Sequence, residues 1–205
     1  MHDHLDPDLL DLEAHGWPPL PAAATSGHVR HDGADIWFAS FGDGPALILL
    51  HGGLGHSANF AFQVPDLVAA GYRVVTIDSR GHGRSSRDDR PYAYRQMAGD
   101  TRAVMDHLGI ARAAIVGWSD GADTGLLLAQ ETPERVAGLF FFACNVDASG
   151  PLPFEFTPII GRIYNQHVKD YAALSATPDA FQAFADAVGE MQRTQPNLGR
   201  ADLEQ

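Results

Sequence analysis

Four short apolar bursts punctuate the chain at Ala46–Leu50, Arg73–Ile77, Ala113–Val116 and Val136–Cys144, and each runs nearly unbroken instead of alternating with polar residues. Unbroken runs of this length predict strands buried on both faces. Ahead of them, Gly27–Gly42 reads as two strands hinged at Asp32-Gly33, a dipeptide that accepts the positive φ angles of a tight hairpin. Helical spacing fills the gaps: Phe62–Ala70, then Met97, Thr101, Val104, Met105 and Leu108, then Ala122–Gln130. Strand and helix alternate, which predicts an α/β fold with a mostly parallel sheet and helices on both faces. Right-handed crossovers would send the loop after each strand to one common edge, where function is expected.

Beyond Asn145 the strand signal stops. Phe156, Ile159, Ile160, Ile163 and Tyr164, then Phe181, Phe184, Ala185, Val188 and Met191, follow helical spacing, and Thr177-Pro178 suits the start of the second helix. These helices are expected to lie over the sheet edge as a cap, with most of their apolar positions packed into the core. From Gln192 onward the chain turns polar, and no closing helix is expected there. Residues 1–26 are acidic and rich in Pro and Ala, and read as a surface extension. The expected organisation is therefore an extension over 1–26, a core over 27–150 and a helical cap segment over 151–205.

Composition narrows the function classes. With 45% hydrophobic and 20% charged residues in 205, the chain has the makings of one globular core and none of a disordered segment. A formal net charge of −12 repels phosphate backbones and anionic lipid, so a small-molecule substrate is the expected partner, not nucleic acid or a membrane. Cys144 is the only cysteine, which excludes an intrachain disulfide and a Cys-rich metal site and fits a reducing, cytoplasmic setting. No run approaches the ~18 apolar residues of a membrane span. Oligomeric state is left open.

Three segments carry candidate chemistry. Gly117-Trp118-Ser119-Asp120-Gly121 follows a strand and precedes a helix, the setting of a nucleophile elbow. A sharp turn there would thrust the Ser119 hydroxyl clear of the sheet and aim the Asp120 backbone N–H at an oxyanion. The same glycines could equally serve a plain strand-to-helix turn that holds a serine by accident. His51-Gly52-Gly53-Leu54-Gly55-His56-Ser57 is built like an oxyanion loop, in which Gly53 or Leu54 would supply the second N–H and His51 would fix the loop. Ile77-Asp78-Ser79-Arg80-Gly81-His82-Gly83-Arg84-Ser85 closes the next strand. Trp118, Phe156, Ile159 and Tyr164 are candidates to line an apolar pocket.

In this order the three motifs resemble the α/β-hydrolase superfamily, over about residues 27–150 and more loosely through a helical cap. The resemblance implies cofactor-independent and metal-independent hydrolysis of a small ester, lactone, amide or related carbonyl compound by Ser119, with Asp78 and Arg80 as loop anchors and His82 as structural. It also implies an acid and then a histidine after the nucleophile. Only His167 follows Ser119. A substitute pair of Asp147 and His167 is the one arrangement the chain order allows, and the family pattern would instead add about 55 to 70 residues holding the usual acid and base. Activity of this chain is accordingly expected to be weak, and the Phe140–Phe142 edge to promote self-association. Two other readings stay open. One is a non-catalytic binding remnant; the other is an NAD(P)-dependent oxidoreductase using Gly53, Gly55 and Asp78, because Gly53–Ala58 also satisfies a dinucleotide fingerprint.

Overall fold

In the computed structural model, which describes residues 6–151 and 155–204, six strands form one sheet. β1 (Thr25–His31) and β2 (Ala34–Phe41) pair as an antiparallel hairpin. Asp32 and Gly33 close it with φ of 40° and 87°, the double positive turn that their side chains tolerate. β3 (Ala46–Leu50), β4 (Arg73–Ile77), β5 (Ala113–Trp118) and β6 (Val136–Phe142) run parallel to one another, and the spatial order is β1-β2-β4-β3-β5-β6. The strand after β3 lies on one side of it and the next lies on the other. The loops after β3 and β5 therefore straddle the point where the winding reverses, the place where such sheets open a crevice.

Helices cover both faces, as the strand–helix alternation predicts. α3 (Tyr94–His107) and α4 (Asp120–Glu131) bury Met97, Val104, Met105, Leu127 and Leu128 against Ile48, Leu50, Val75, Ile77 and Ile115. α2 (Gln63–Ala69) sets Val64 on the other face, against Leu47, Leu49, Val74 and Phe41. Alternate residues of β3 thus enter two different cores, which is why its sequence is apolar without a break.

The same argument fails for β6. Phe140 and Phe142 are 60% and 55% exposed. β6 pairs only with β5 among the described strands, so it is a sheet edge, and its alternate side chains stay largely open to solvent.

The helical spacing after Asn145 appears as α5 (Pro158–Leu174) and α6 (Phe181–Thr194). Thr157 caps α5 by accepting from Ile160 N–H at 3.3 Å, with Pro158 in the first turn. Thr177 does not cap α6. A 3₁₀ turn over Pro178–Ala180 intervenes, and the Thr177 hydroxyl bonds Tyr171 at 2.9 Å instead. Tyr171, Phe181, Phe184, Val188 and Met191 join the core on the α3 side. Phe184 also meets the His82 ring edge-on at 4.7 Å between centroids, which seats α6 over the loops that follow the strands.

The N-terminal extension contains α1 (Pro7–His15), which is bound to α5 by Arg162–Glu13 at 2.6 Å, with Trp17 Nε1 donating to Asp170 at 3.1 Å. The polar stretch after Gln192 is also more ordered than its composition predicts. Asn197 forms a bridge with Asp147, Ala148 N–H donates to Pro196 O at 2.8 Å, and a short helix α7 spans Arg200–Leu203. Expected core position Phe156 is 63% exposed.

Candidate active site

β5 ends and α4 begins at Ser119, whose φ of 53° and ψ of −127° put a non-glycine residue in left-handed backbone. Such a conformation costs about 1–3 kcal/mol and persists only where its surroundings over-determine it. Here they do. A Cβ on Gly117 would lie 2.4 Å from the Gly121 carbonyl oxygen, and one on Gly121 would lie 2.0 Å from the Leu50 carbonyl oxygen. Backbone approaches backbone too closely for any side chain at either position. The turn is then pinned by Ser119 N–H donating to Phe142 O at 2.9 Å and Ala122 N–H donating to Ser119 O at 2.7 Å.

The loop after β3 comes up against this turn. A Cβ on Gly52 would touch the Ser119 Cβ at 3.1 Å, and one on Gly53 would collide with the Asp120 carboxylate at 2.7 Å. Leu54 has a φ of 62°, which turns the local backbone inward. Among the described residues no chain acceptor takes the N–H of Gly53 or Leu54. His51 holds the loop in place. Its Nε2 accepts from Ser79 N–H at 3.0 Å, so Nδ1 carries the proton and donates to Gly52 O at 2.7 Å. Burial holds this imidazole neutral by lowering its pKa.

The third segment is an anchor throughout. The Asp78 carboxylate is fully buried and accepts from Ser57 N–H at 2.7 Å, from the Ser57 hydroxyl and from Arg84 N–H at 2.9 Å. Arg80 makes a two-pronged pair with Asp100, both contacts at 2.7 Å and both residues buried. Neither side chain is available to a ribose or its phosphate. Gly53-x-Gly55 leads into a 3₁₀ turn over Ser57–Phe60 instead of a long helix, so the dinucleotide reading loses its helix N-terminus too. His82 donates from Nδ1 to Arg80 O at 3.0 Å, and burial, aided by His51, pushes it down to about 3.

Ser119 lines a cavity of 450 Å³ that is rich in carboxylates: Asp120, Asp123 and Asp147 share it with Tyr94, Cys144 and Gln192. Asp120 accepts from Tyr94 at 3.1 Å and from Gln192 at 3.0 and 3.1 Å. Burial pushes its carboxyl up to about 6, against the hydrogen bonds from Gln192, Tyr94 and its own backbone N–H. Asp123, one turn along α4, accepts from the Cys144 thiol at 2.8 Å, and its Oδ1 is buried without a partner. Burial pushes it up to about 7, opposed by the Cys144 bond and reinforced by Asp120. Burial likewise raises the Tyr94 and Cys144 pKa values.

The candidate acid and base are not brought together. Asp147 borders the cavity, but its carboxylate accepts from Ser149 N–H at 2.8 Å, and that residue's hydrogen bonds lower its pKa. His167 is buried on α5, outside the residues lining the cavity, with Nδ1 unpartnered. Burial pushes it down to about 4 even though Asp170 pulls the other way. No histidine lines the Ser119 cavity among the described residues.

The four candidate pocket residues also part company. Trp118 faces a separate groove with Leu49, Val116, Phe140 and Phe142, and Ile159 faces one beside α1. Tyr164 stacks edge-on between Phe156 and Phe181. Strand alternation explains Trp118: it shares a face with Val116, on the side of the sheet away from α4. Sequence reasoning missed Tyr94, Asp123 and Gln192. Only Asp123 left a signal, three residues from Asp120 and so on the same helical face.

A family model described as the α/β-hydrolase fold matches residues 45–194. Epoxide hydrolase B of Mycobacterium tuberculosis is 41% identical over 98 residues, 47% of this chain and 28% of that protein. Rhodomycin D methylesterase DnrP of Streptomyces peucetius is 32% identical over 171 residues, 80% of this chain and 54% of that protein. A solved Pseudomonas aeruginosa PAO1 protein shares the fold, with a TM-score of 0.71 at 19% identity over 91% of this chain and 72% of its own. The chain thus spans between about a quarter and a half of the length of these curated relatives.

Proposed function

The chain belongs to the α/β-hydrolase fold family, and from that membership we propose that it is a hydrolase of a small ester, lactone, amide or related carbonyl compound, with Ser119 as nucleophile. The observation that carries this reading is the backbone of Ser119, held at a φ of 53° between two glycines that tolerate no Cβ. Evolutionarily named relatives include an epoxide hydrolase and a methylesterase, which supports hydrolysis as the reaction class.

In this reading the Ser119 oxygen attacks the carbonyl carbon, the leaving group departs with a proton, and water then cleaves the acyl-serine. The Asp120 N–H and that of Gly53 or Leu54 hold the oxyanion, each such donor contributing on the order of 3 kcal/mol. α5 and α6 serve as a cap over the strand ends. Asp147 and His167 receive no role, since the first is engaged by Ser149 and the second is a weak base outside the cavity.

Without an imidazole beside it, serine is a poor nucleophile, so slow turnover is expected of this chain. Intact-mass analysis after incubation with a small p-nitrophenyl ester tests the reading. One acyl group on Ser119, absent in Ser119→Ala, supports it. A folded chain that never acylates is instead the non-catalytic binder, a reading that fits a cavity lined by no histidine among the described residues.

A further inference from the structure

We infer that the Ser119 cavity selects substrates bearing a protonated amine close to the scissile carbonyl, and that Asp123 anchors this cation. The inference rests on the hydrolase reading of the same site and names its substrate class.

Three carboxylates line the cavity, and no Lys, Arg or His does among the described residues. They are not equivalent. Asp120 has both oxygens engaged by Tyr94 and Gln192, and Asp147 is engaged by Ser149. Asp123 is 2% exposed and keeps one oxygen, Oδ1, buried with no partner, while Cys144 takes the other. An unpaired buried acceptor is destabilising, more so when charged, so this atom is poised for a donor that the described residues do not supply. An ammonium group supplies both the missing hydrogen bond and the missing counter-charge. A metal ion fits less well, because no three ligating side chains converge among the described residues. The carboxyl of Asp123, raised by burial to about 7, would lose its proton to solvent as such a cation binds beside it. Asp123 and Ser119 line the same cavity. That placement suits an amine carried close to the carbonyl, as in amino-acid esters and amides.

Calorimetry at pH 7 with L-phenylalaninol, a cation with no scissile bond, and its neutral N-acetyl derivative tests the anchor. The amine should bind at least about tenfold tighter. Asp123→Asn should erase that preference and Ser119→Ala should keep it. Equal binding, no binding, or a preference that survives Asp123→Asn overturns the inference. Should Asp123→Asn fail to fold, the wild-type Asp123 carboxyl carbon, followed by NMR, provides the readout: phenylalaninol should lower its titration midpoint, and an unmoved midpoint overturns the inference. Fluorophosphonate labelling of Ser119 in the same samples reports on the nucleophile separately. Amine preference without labelling keeps the anchor and rejects the hydrolase reading; labelling without amine preference does the reverse.

Discussion

Two neighbouring regions at one end of the sheet hold opposite chemistry. Around Ser119 the titratable groups are acids: Asp120, Asp123 and Asp147. Around the loops after β3 and β4, beside the anchors Asp78 and Arg80, histidines gather: His51, His82 and, from α5, His167. Asp120 and Asp123 are pushed up by burial and the histidines are pushed down, so both sets are driven toward neutrality. What differs is employment. His51 spends both ring nitrogens on holding its loop and His82 spends Nδ1 with Nε2 left buried and unpartnered, whereas Asp123 keeps a carboxylate oxygen that can take a cation. A histidine in the right superfamily and near the right edge is therefore not a general base by default; its partners decide.

The comparison can be broken most severely from the nucleophile side. Gly121→Ala drives a Cβ to 2.0 Å from the Leu50 carbonyl oxygen, backbone against backbone. We expect a loss on the order of 5 kcal/mol, read as a collapse of the thermal transition. On the histidine side, Arg80→Ala strips the buried Asp100 of its two-pronged partner and loosens the segment that holds His82. Chemical denaturation should show about 3 to 4 kcal/mol less stability.

A pH series sharpens the contrast, because the two regions titrate in opposite senses. Between pH 6.5 and about 4 the unfolded chain protonates His167 while the folded chain does not, so this group weakens the fold as pH falls. Between about pH 7 and 3.8 the folded chain protonates Asp123 while the unfolded chain does not, so this group strengthens the fold as pH falls. From pH 7 to 5, His167→Gln should gain on the wild type and Asp123→Asn should lose against it, each by about 2 kcal/mol. Melting curves at the two pH values check both signs. The smallest effect concerns the sheet edge beside Ser119. Phe140→Lys adds a charge to an exposed apolar position and should reduce concentration-dependent self-association in sedimentation velocity without lowering the melting temperature.

What was legible in the sequence was local. The hairpin at Asp32-Gly33 and the turn at Ser119 each depend on residues a few positions apart, where backbone geometry dictates residue type. β3 and β4 were legible for a related reason, since burial on two faces leaves an unbroken apolar run. β6 carried the same run, and its exposure was expected from its place as the last strand of the chain and not from its own residues, because the order of strands is not written within any one strand. The cavity wall was the least legible. Tyr94 reaches Asp120 from 26 residues away and Gln192 from 72, and each looks like an ordinary helical position on its own. Trp118 misled by adjacency, because the residue beside the nucleophile points to the opposite face of the sheet.

In the proposed reading Ser119 is a nucleophile with no base beside it among the described residues. Fluorophosphonate labelling followed by intact mass, with and without added imidazole, tests both halves at once. The account predicts slow single labelling of Ser119 that imidazole accelerates and that Ser119→Ala abolishes. A folded chain that resists the probe even with imidazole would contradict the nucleophile, and rapid labelling that imidazole leaves unchanged would contradict the missing base.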